Sequence, residues 1–571
     1  MIKKTLIVLF VILSNYIFGQ QKKFQINGAA RGYFFSNELN IDESLDTITT
    51  RKANYGHTLL DMGVNLFPNN NTEVLAMFRI RNELGGFWGG GVSFDVRQLS
   101  LKGVAADVVR YELGDIDLKM TPYTLFNYQE EGVINEGDVF ALRRDIVHYD
   151  MFYNNNNSWR MQGAKANFGL EFNGLIKSLD FKTFITRQRA TDGILEPERL
   201  FGGGTIKLVQ SDNLSLAFNT VNIFDLEGTI PDSIQYKNNV HTFNLNYSKD
   251  LNEKIKLDFK SEAGISNARY INYADNRAPE TMNDWFYDVS VVSNFKGKNT
   301  SITLGYKDVG ADFLSPGAQT KRINYSKFPA LYQQITNDAI GRQISYSDVI
   351  SGNTENSFKI SEELMPYYAA YNNSNPYGLA TPNRKGVYAE FQRTDSVKFK
   401  NSFVKTALLT QSRGTGTTEK KNFFLIEAGT DVYLNDYLGW EKQIKLDLGL
   451  RYENTSRGGE VFEVVALSST FVDLGLSYEL VESFDILIGA KIWSVKGNEF
   501  NNDRNQFNNI VNFNVVNYGF NENTYAAGLR YRFSDKNILS AQYQINNIKH
   551  TTGVSPDYGI SQFTFLYSLL F

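Results

Sequence analysis

Between residues 444 and 453 the chain alternates without exception: Ile444, Leu446, Leu448, Leu450 and Tyr452 are apolar, and Lys445, Asp447, Gly449, Arg451 and Glu453 between them are not. Successive side chains of a β-strand point to opposite faces, so this stretch is a strand with one apolar and one polar face. The separation recurs at Val472, Leu474, Leu476, Tyr478 and Leu480, at Phe243, Leu245 and Tyr247, at Ile255, Leu257 and Phe259, and at Leu539, Ala541, Tyr543 and Ile545. Strands of about ten residues with this pattern suit a transmembrane β-barrel, where lipid covers one face of every strand and the lumen the other. A soluble β-sandwich alternates as well. The connections decide between the two.

Strands of this kind begin near residues 23, 57, 72, 91, 105, 159, 178, 200, 213, 237, 253, 282, 299, 385, 401, 421, 443, 466, 483, 523, 536 and 558. Every second connection is short, as at 68–71, 211–213, 249–254, 296–299, 481–483 and 534–537. Long connections fall between them, at 36–56, 119–158, 225–237, 266–283, 310–384 and 495–522. A sandwich has no reason to hold that parity, whereas an outer-membrane barrel joins its strands by tight periplasmic turns and longer external loops. Proline agrees: all 11 fall outside the inferred strands, Pro68 in a turn and the rest in long connections, where no ladder bond is lost to lipid. The sequence therefore predicts an all-β chain forming a single large antiparallel transmembrane barrel of about 22 strands (roughly 18–24), with both termini in the periplasm.

The start of the chain points to export. Lys3 and Lys4, the apolar run 5–13 and a short exit ending at Gly19 have the layout of a signal peptide. Residues 1–19 are expected to be removed, changing the net charge from -4 to -4 - 2 = -6, and residues 20–571 to form the barrel. Such a charge offers no surface for nucleic acid. The absence of Cys removes disulfides, thiol nucleophiles and thiolate metal sites. Four scattered His leave little for metal chemistry, and no cofactor is expected.

The last strand ends SQFTFLYSLLF, with Phe563, Phe565, Tyr567, Leu569 and Phe571 on one face. This resembles the C-terminal insertion signal of Gram-negative outer-membrane β-barrel proteins, which the barrel-assembly machinery reads. The resemblance implies an outer-membrane location, with membrane lipid and that machinery as partners, and a porin-like or transporter-like barrel. No substrate-specific family is indicated. Plugged transporters of 22 strands carry a large domain before the first strand, whereas only residues 20–23 are expected there here. The long loops 119–158 and 310–384 are therefore expected to fill or cap the lumen.

One charged constellation suggests a constriction. Arg79, Arg81, Arg97 and Arg110, on the third to fifth strands, alternate with apolar Phe78, Ile80, Val96 and Val109, which places them on the lumen side. The strand holding Arg97 shifts phase after that residue, as a β-bulge would, returning Leu99 and Leu101 to the lipid side. The next long loop carries Glu130, Glu131, Glu136, Asp138, Asp145 and Asp150. The arrangement resembles the general porins, whose third loop folds inward and sets acids against a basic wall, and charge rings of this kind sort solutes. A solvated wall with no selective role explains the same residues. The acids match no 12-residue calcium loop. Enzymatic constellations fail: His241 has no serine and acid beside it on a lipid face, and the glycine runs 85–91 and 202–204 precede no helix.

A passive channel for small polar solutes is the leading expectation. A non-conducting barrel component of an assembly, secretion or lipid-export machine, with a protein partner, is the second. An enzyme or adhesin barrel is the third.

Overall fold

The computed structural model describes residues 23–41, 52–84, 92–128, 134–150, 156–194, 196–230, 234–272, 280–319, 364, 367–394, 399–504, 510–551 and 557–571. The expected signal peptide, Glu130, Glu131 and most of loop 310–384 lie outside them. No described helix is long and apolar enough to cross a membrane, which says nothing of a barrel.

Alternation and turn chemistry produce one closed 22-stranded antiparallel sheet. Its strands are β1 (Phe24–Ile41), β2 (Lys52–Asn69), β3 (Thr72–Glu83), β4 (Val92–Ala105), β5 (Val109–Leu118), β6 (Trp159–Glu171), β7 (Ser178–Arg189) and β8 (Arg199–Val209). They continue as β9 (Leu214–Asp225), β10 (Ile234–Asp250), β11 (Ile255–Asn272), β12 (Glu280–Phe295), β13 (Thr300–Val309), β14 (Arg384–Thr394), β15 (Phe399–Thr410) and β16 (Asn422–Tyr433). The remainder are β17 (Ile444–Arg457), β18 (Val465–Val481), β19 (Phe484–Arg504), β20 (Ile510–Ser534), β21 (Asn537–His550) and β22 (Tyr558–Leu570). Each strand pairs with its neighbour in sequence, and β22 closes on β1 from Ala29↔Leu570 to Ile41↔Tyr558. Backbone bonds in both directions between Gly28 and Phe571 finish that seam. Closure leaves the sheet no edge strand, as lipid demands.

The tight connections lie at one end of the barrel, here the turn end, and the long ones at the other, the loop end. Tight turns use left-handed backbone where the chain must reverse, as at Asn299 (φ 44) and Ser483 (φ 65). One apolar face of the sheet stays exposed for lipid, including Leu450, Leu474, Ile488, Tyr525 and Tyr543. Its opposite face buries Asp61, Arg79, Asp473 and Lys491 within the lumen.

Three expectations need correction. Pro68 lies inside β2, in the stretch between Leu66 and Asn69 where pairing with β3 shifts register and no ladder donor is required. The described part of segment 495–522 is strand: β19 and β20 run on for 21 and 25 residues and pair with each other past the loop end of the neighbouring strands. Its Asn-rich composition masked that pairing. Within loop 119–158 a helix, α1 (Asp138–Asp150), had no clear sequence signal.

The last strand carries its aromatic residues as expected, with Phe563, Phe565 and Phe571 exposed on the outer face. Replacing Phe563, Phe565 and Tyr567 with Ser should deprive the closing strand of its lipid surface. The expected result is loss of the heat-modifiable barrel band on cold electrophoresis; a normal band would refute the assembly role.

Candidate functional site

The site is the lumen, and a row of missing side chains shapes it. Gly429, Gly449, Gly475 and Gly489 stand on the inner faces of β16, β17, β18 and β19, with Gly429 opposite Gly449 and Gly475 opposite Gly489 in the ladder. Together they leave a shallow trough across the wall. Residues 134–140 lie in it. A Cβ added at Gly429 would stand 2.9 Å from the Asn135 Cβ, one at Gly449 3.2 Å from the Ile134 Cβ, and one at Gly489 2.5 Å from the Phe140 ring. Gly475 meets the Cα of Gly137, so at this crossing two backbones touch.

Charge fixes what the trough receives. Lys491 of β19 donates to Glu136 at 2.6 Å, and Arg144 of α1 donates to the other oxygen of the same carboxylate at 2.5 Å. Asp138 accepts from Lys445 at 3.0 Å and pairs with Arg530 at 3.0 Å. At the far end of α1, Asp150 accepts from Arg31 at 2.6 Å and from Arg79 at 3.0 Å. Burial pushes the Asp150 carboxyl up, but the Arg31, Arg79 and Arg97 guanidiniums outweigh it and hold the group well below the usual carboxylate range. Residues 134–150 thus bridge the lumen from β16–β19 to β1–β4, ion-paired at both ends.

The basic wall reads differently from the sequence expectation. Arg79, Arg81 and Arg97 do face inward and are buried. Arg79 and Arg97 converge on Asp61 of β2, a residue that sequence reasoning passed over: Arg79 binds it through two bonds of 2.7 Å, and Arg97 pairs with one of the same oxygens. The signal was available, since Asp61 stands directly opposite Arg79 on neighbouring strands. The Tyr149 ring lies 4.0 Å from the Arg97 guanidinium, adding a cation–π contact. Arg110 stands apart, exposed near the turn end of β5. Glu130 and Glu131 lie outside the described residues, and the acid that meets the wall is Asp150. The bulge expected after Arg97 is present, because pairing with β3 slips between Met77↔Gln98 and Phe78↔Val96.

Loop 310–384 also turns inward where it is described. Residues 318–319 pair in parallel with 126–127, joining the two long loops inside the barrel. Around that junction Tyr123, Leu125, Phe313 and Leu314 pack on inward-facing Phe201, Tyr236 and Phe286 as an apolar core within the loop half of the lumen. On the opposite wall Tyr371 stacks on Trp493 with ring centres 4.0 Å apart. Arg384 donates to the carbonyls of Asn373 and Ser374, and Lys421 pairs with Glu499, whose carboxylate also accepts from Asn373. Tyr367, Tyr368, Tyr371 and Tyr377 of this loop take part in the packing.

Toward the turn end the filling stops. A cavity of ≈ 480 Å³ opens beneath residues 119–121, lined by Lys165, Lys182, Lys207, Asp180 and four inward Asn on β6, β9 and β10. Lys165 is neutralised by Glu112 at 2.5 Å. Lys182 and Lys207 have no carboxylate in ion-pair range among the described residues. No group of His, Cys, Asp and Glu suited to a metal ion occurs among those residues.

This architecture is that of a closed 22-stranded antiparallel β-barrel with its long loops folded into the lumen. Solved structures similar to it include the outer membrane protein OprD from Pseudomonas aeruginosa (12% identity, 97% of this chain and 96% of that one, TM-score 0.35). A BenF-like porin from Pseudomonas fluorescens Pf-5 matches at 10% identity over 97% and 100% of the two chains, TM-score 0.33. A chain of the E. coli P pilus tip assembly intermediate PapC-PapD-PapK-PapG matches at 12% identity, 96% of this chain and 61% of that one, TM-score 0.40. No protein-family model and no curated protein matches the sequence.

Proposed function

We propose that the chain is a passive outer-membrane channel for small polar solutes, with its tight turns in the periplasm and its long loops at the cell surface. The observation that carries this reading is the open polar cavity of ≈ 480 Å³ in the turn half of the lumen. A barrel filled only for rigidity would pair its inner charges throughout, as it does along α1, whereas Lys182 and Lys207 are left for a passing solute. The buried Arg79 and Arg97 with Asp61 and Asp150 then form one fixed wall of the constriction, and Arg81 belongs to it. Arg110 stands at its periplasmic approach. The chain is read as a conduit without catalytic groups.

Planar-bilayer recording of the purified protein tests this. Discrete openings with a preference for anions are expected, and Lys182→Glu with Lys207→Glu should move the reversal potential toward cations. Silence at all voltages would favour the second reading, a non-conducting component of a larger assembly, which the packing of the described parts of both long loops supports.

A further inference from the structure

The ladder of the barrel wall is broken at one place. Pairing between β4 and β5 runs from Ala105↔Val109 only as far as Ser100↔Gly114, although β4 continues to Val92 and β5 to Leu118. Beyond Gly114, the backbone ladder of β5 runs to β6 alone, and β6 leaves β7 at Gly163↔Thr186. Gly114 and Gly163 face each other across the β5–β6 pair. Gly114 has φ +95, a left-handed conformation open to glycine, and it lets the hairpin turn away from β4. The hairpin buries Ile116, Leu118, Trp159 and Met161 in the lumen core.

Its other face carries Asp115, Asp117, Arg160 and Gln162. These stand level with Val96 and Leu99 of β4, both more than half exposed on the lipid face. Charge at that depth is tolerated only where it borders water or protein. Side chains replace the missing ladder: the Leu99 N–H donates to the Asp115 carboxylate at 2.7 Å, and Arg160 donates to Gln98 of β4 at 3.3 Å while holding Asp117 through bonds of 3.0 and 2.9 Å. Asp117 also contributes to the lining of the ≈ 480 Å³ lumen cavity, where its backbone carbonyl accepts from Lys165 at 3.2 Å, so the hairpin that leaves β4 forms part of that cavity's wall. Outside it, Leu60, Met62, Phe78, Ile80 and Phe94 line an apolar groove of ≈ 170 Å³ on the bilayer face of β2–β4.

We propose that the β4–β5 break is a lateral portal between lumen and bilayer, taking a single-chain amphiphile whose polar head reaches Arg160 and Gln162 while its hydrocarbon chain lies in the Phe94 groove. This goes beyond axial passage of polar solutes and does not depend on it, since the portal is read out without measuring conductance.

The chain has no Cys, so single labels are straightforward. A bimane fluorophore is placed at Gln162→Cys, with Leu113→Cys as the lipid-facing control and Lys182→Cys as the lumen control. Proteoliposomes are titrated with iodide in the water and, in separate samples, with doxyl-stearate or doxyl-phosphatidylcholine in the bilayer. Iodide and doxyl-stearate should both quench the label at 162, and doxyl-stearate about twofold more than the two-chain lipid at equal spin density. The controls should each respond to one phase only. Quenching at 162 by iodide alone, or by the lipid probes alone, would overturn the portal. Equal quenching by the one-chain and two-chain probes would overturn the assigned ligand.

Discussion

Gly475→Leu combined with Gly489→Leu should raise single-channel conductance about threefold or more, because the trough that holds residues 134–140 would be filled. At Gly489 the added Cβ would stand 2.5 Å from Phe140 and 2.6 Å from Val139, and at Gly475 it would run into the Gly137 backbone. At Gly475 the obstacle is backbone, which cannot rotate away, and at Gly489 it is two side chains of the same segment. Eviction there also breaks the Glu136–Lys491 and Asp138–Lys445 pairs, which lie along the same segment. The added side chains point inward, so the outer ladder is untouched and the variant should keep its heat-modifiable band. Unchanged conductance in a folded variant would show that α1 does not obstruct the passage.

The second large effect is expected at Asp61. Its carboxylate is fully buried and receives both Arg79 and Arg97. Asp61→Ala would leave two guanidiniums beside each other without their shared anion, and stranding one partner of a buried ion pair costs about 3–5 kcal/mol. The temperature at which the folded band converts to the unfolded one should drop markedly, with a smaller drop for Asp61→Asn, which keeps one acceptor. An unaltered transition in Asp61→Ala would mean that Asp150 alone suffices for both arginines.

The barrel was legible because lipid imposes a strict rule on every strand. Strand starts expected at 72, 159 and 178 coincide with those observed, since alternation and tight turns leave little freedom there. The rule lapses where lipid does not reach. Hence β20 begins at Ile510 and not near 523: its first residues stand beyond the neighbouring strands and are rich in Asn. The lumen was legible in part for a related reason. Arg79, Arg81 and Arg97 could be assigned a face from phase alone, and the bulge after Arg97 could be read from the same phase. Their partners could not, because Asp150 reaches them through a loop whose path no periodicity encodes. The glycine trough escaped notice as well: each glycine looked like a polar-face residue of its own strand, and only the register aligns them.

The glycine trough also sets an order of events in time. Glu136 belongs to the connection after β5, yet its partner Lys491 lies 355 residues later, on β19. When the chain is laid down from its start, the segment that crosses the lumen exists long before the wall that will hold it. Contacts so distant in sequence form late. The leading end of that segment, with Glu136 and Asp138, must therefore stay hydrated and without its wall until β16–β19 are in place, although Asp150 can already meet Arg31 and Arg79. Its entry then becomes one of the closing steps of assembly.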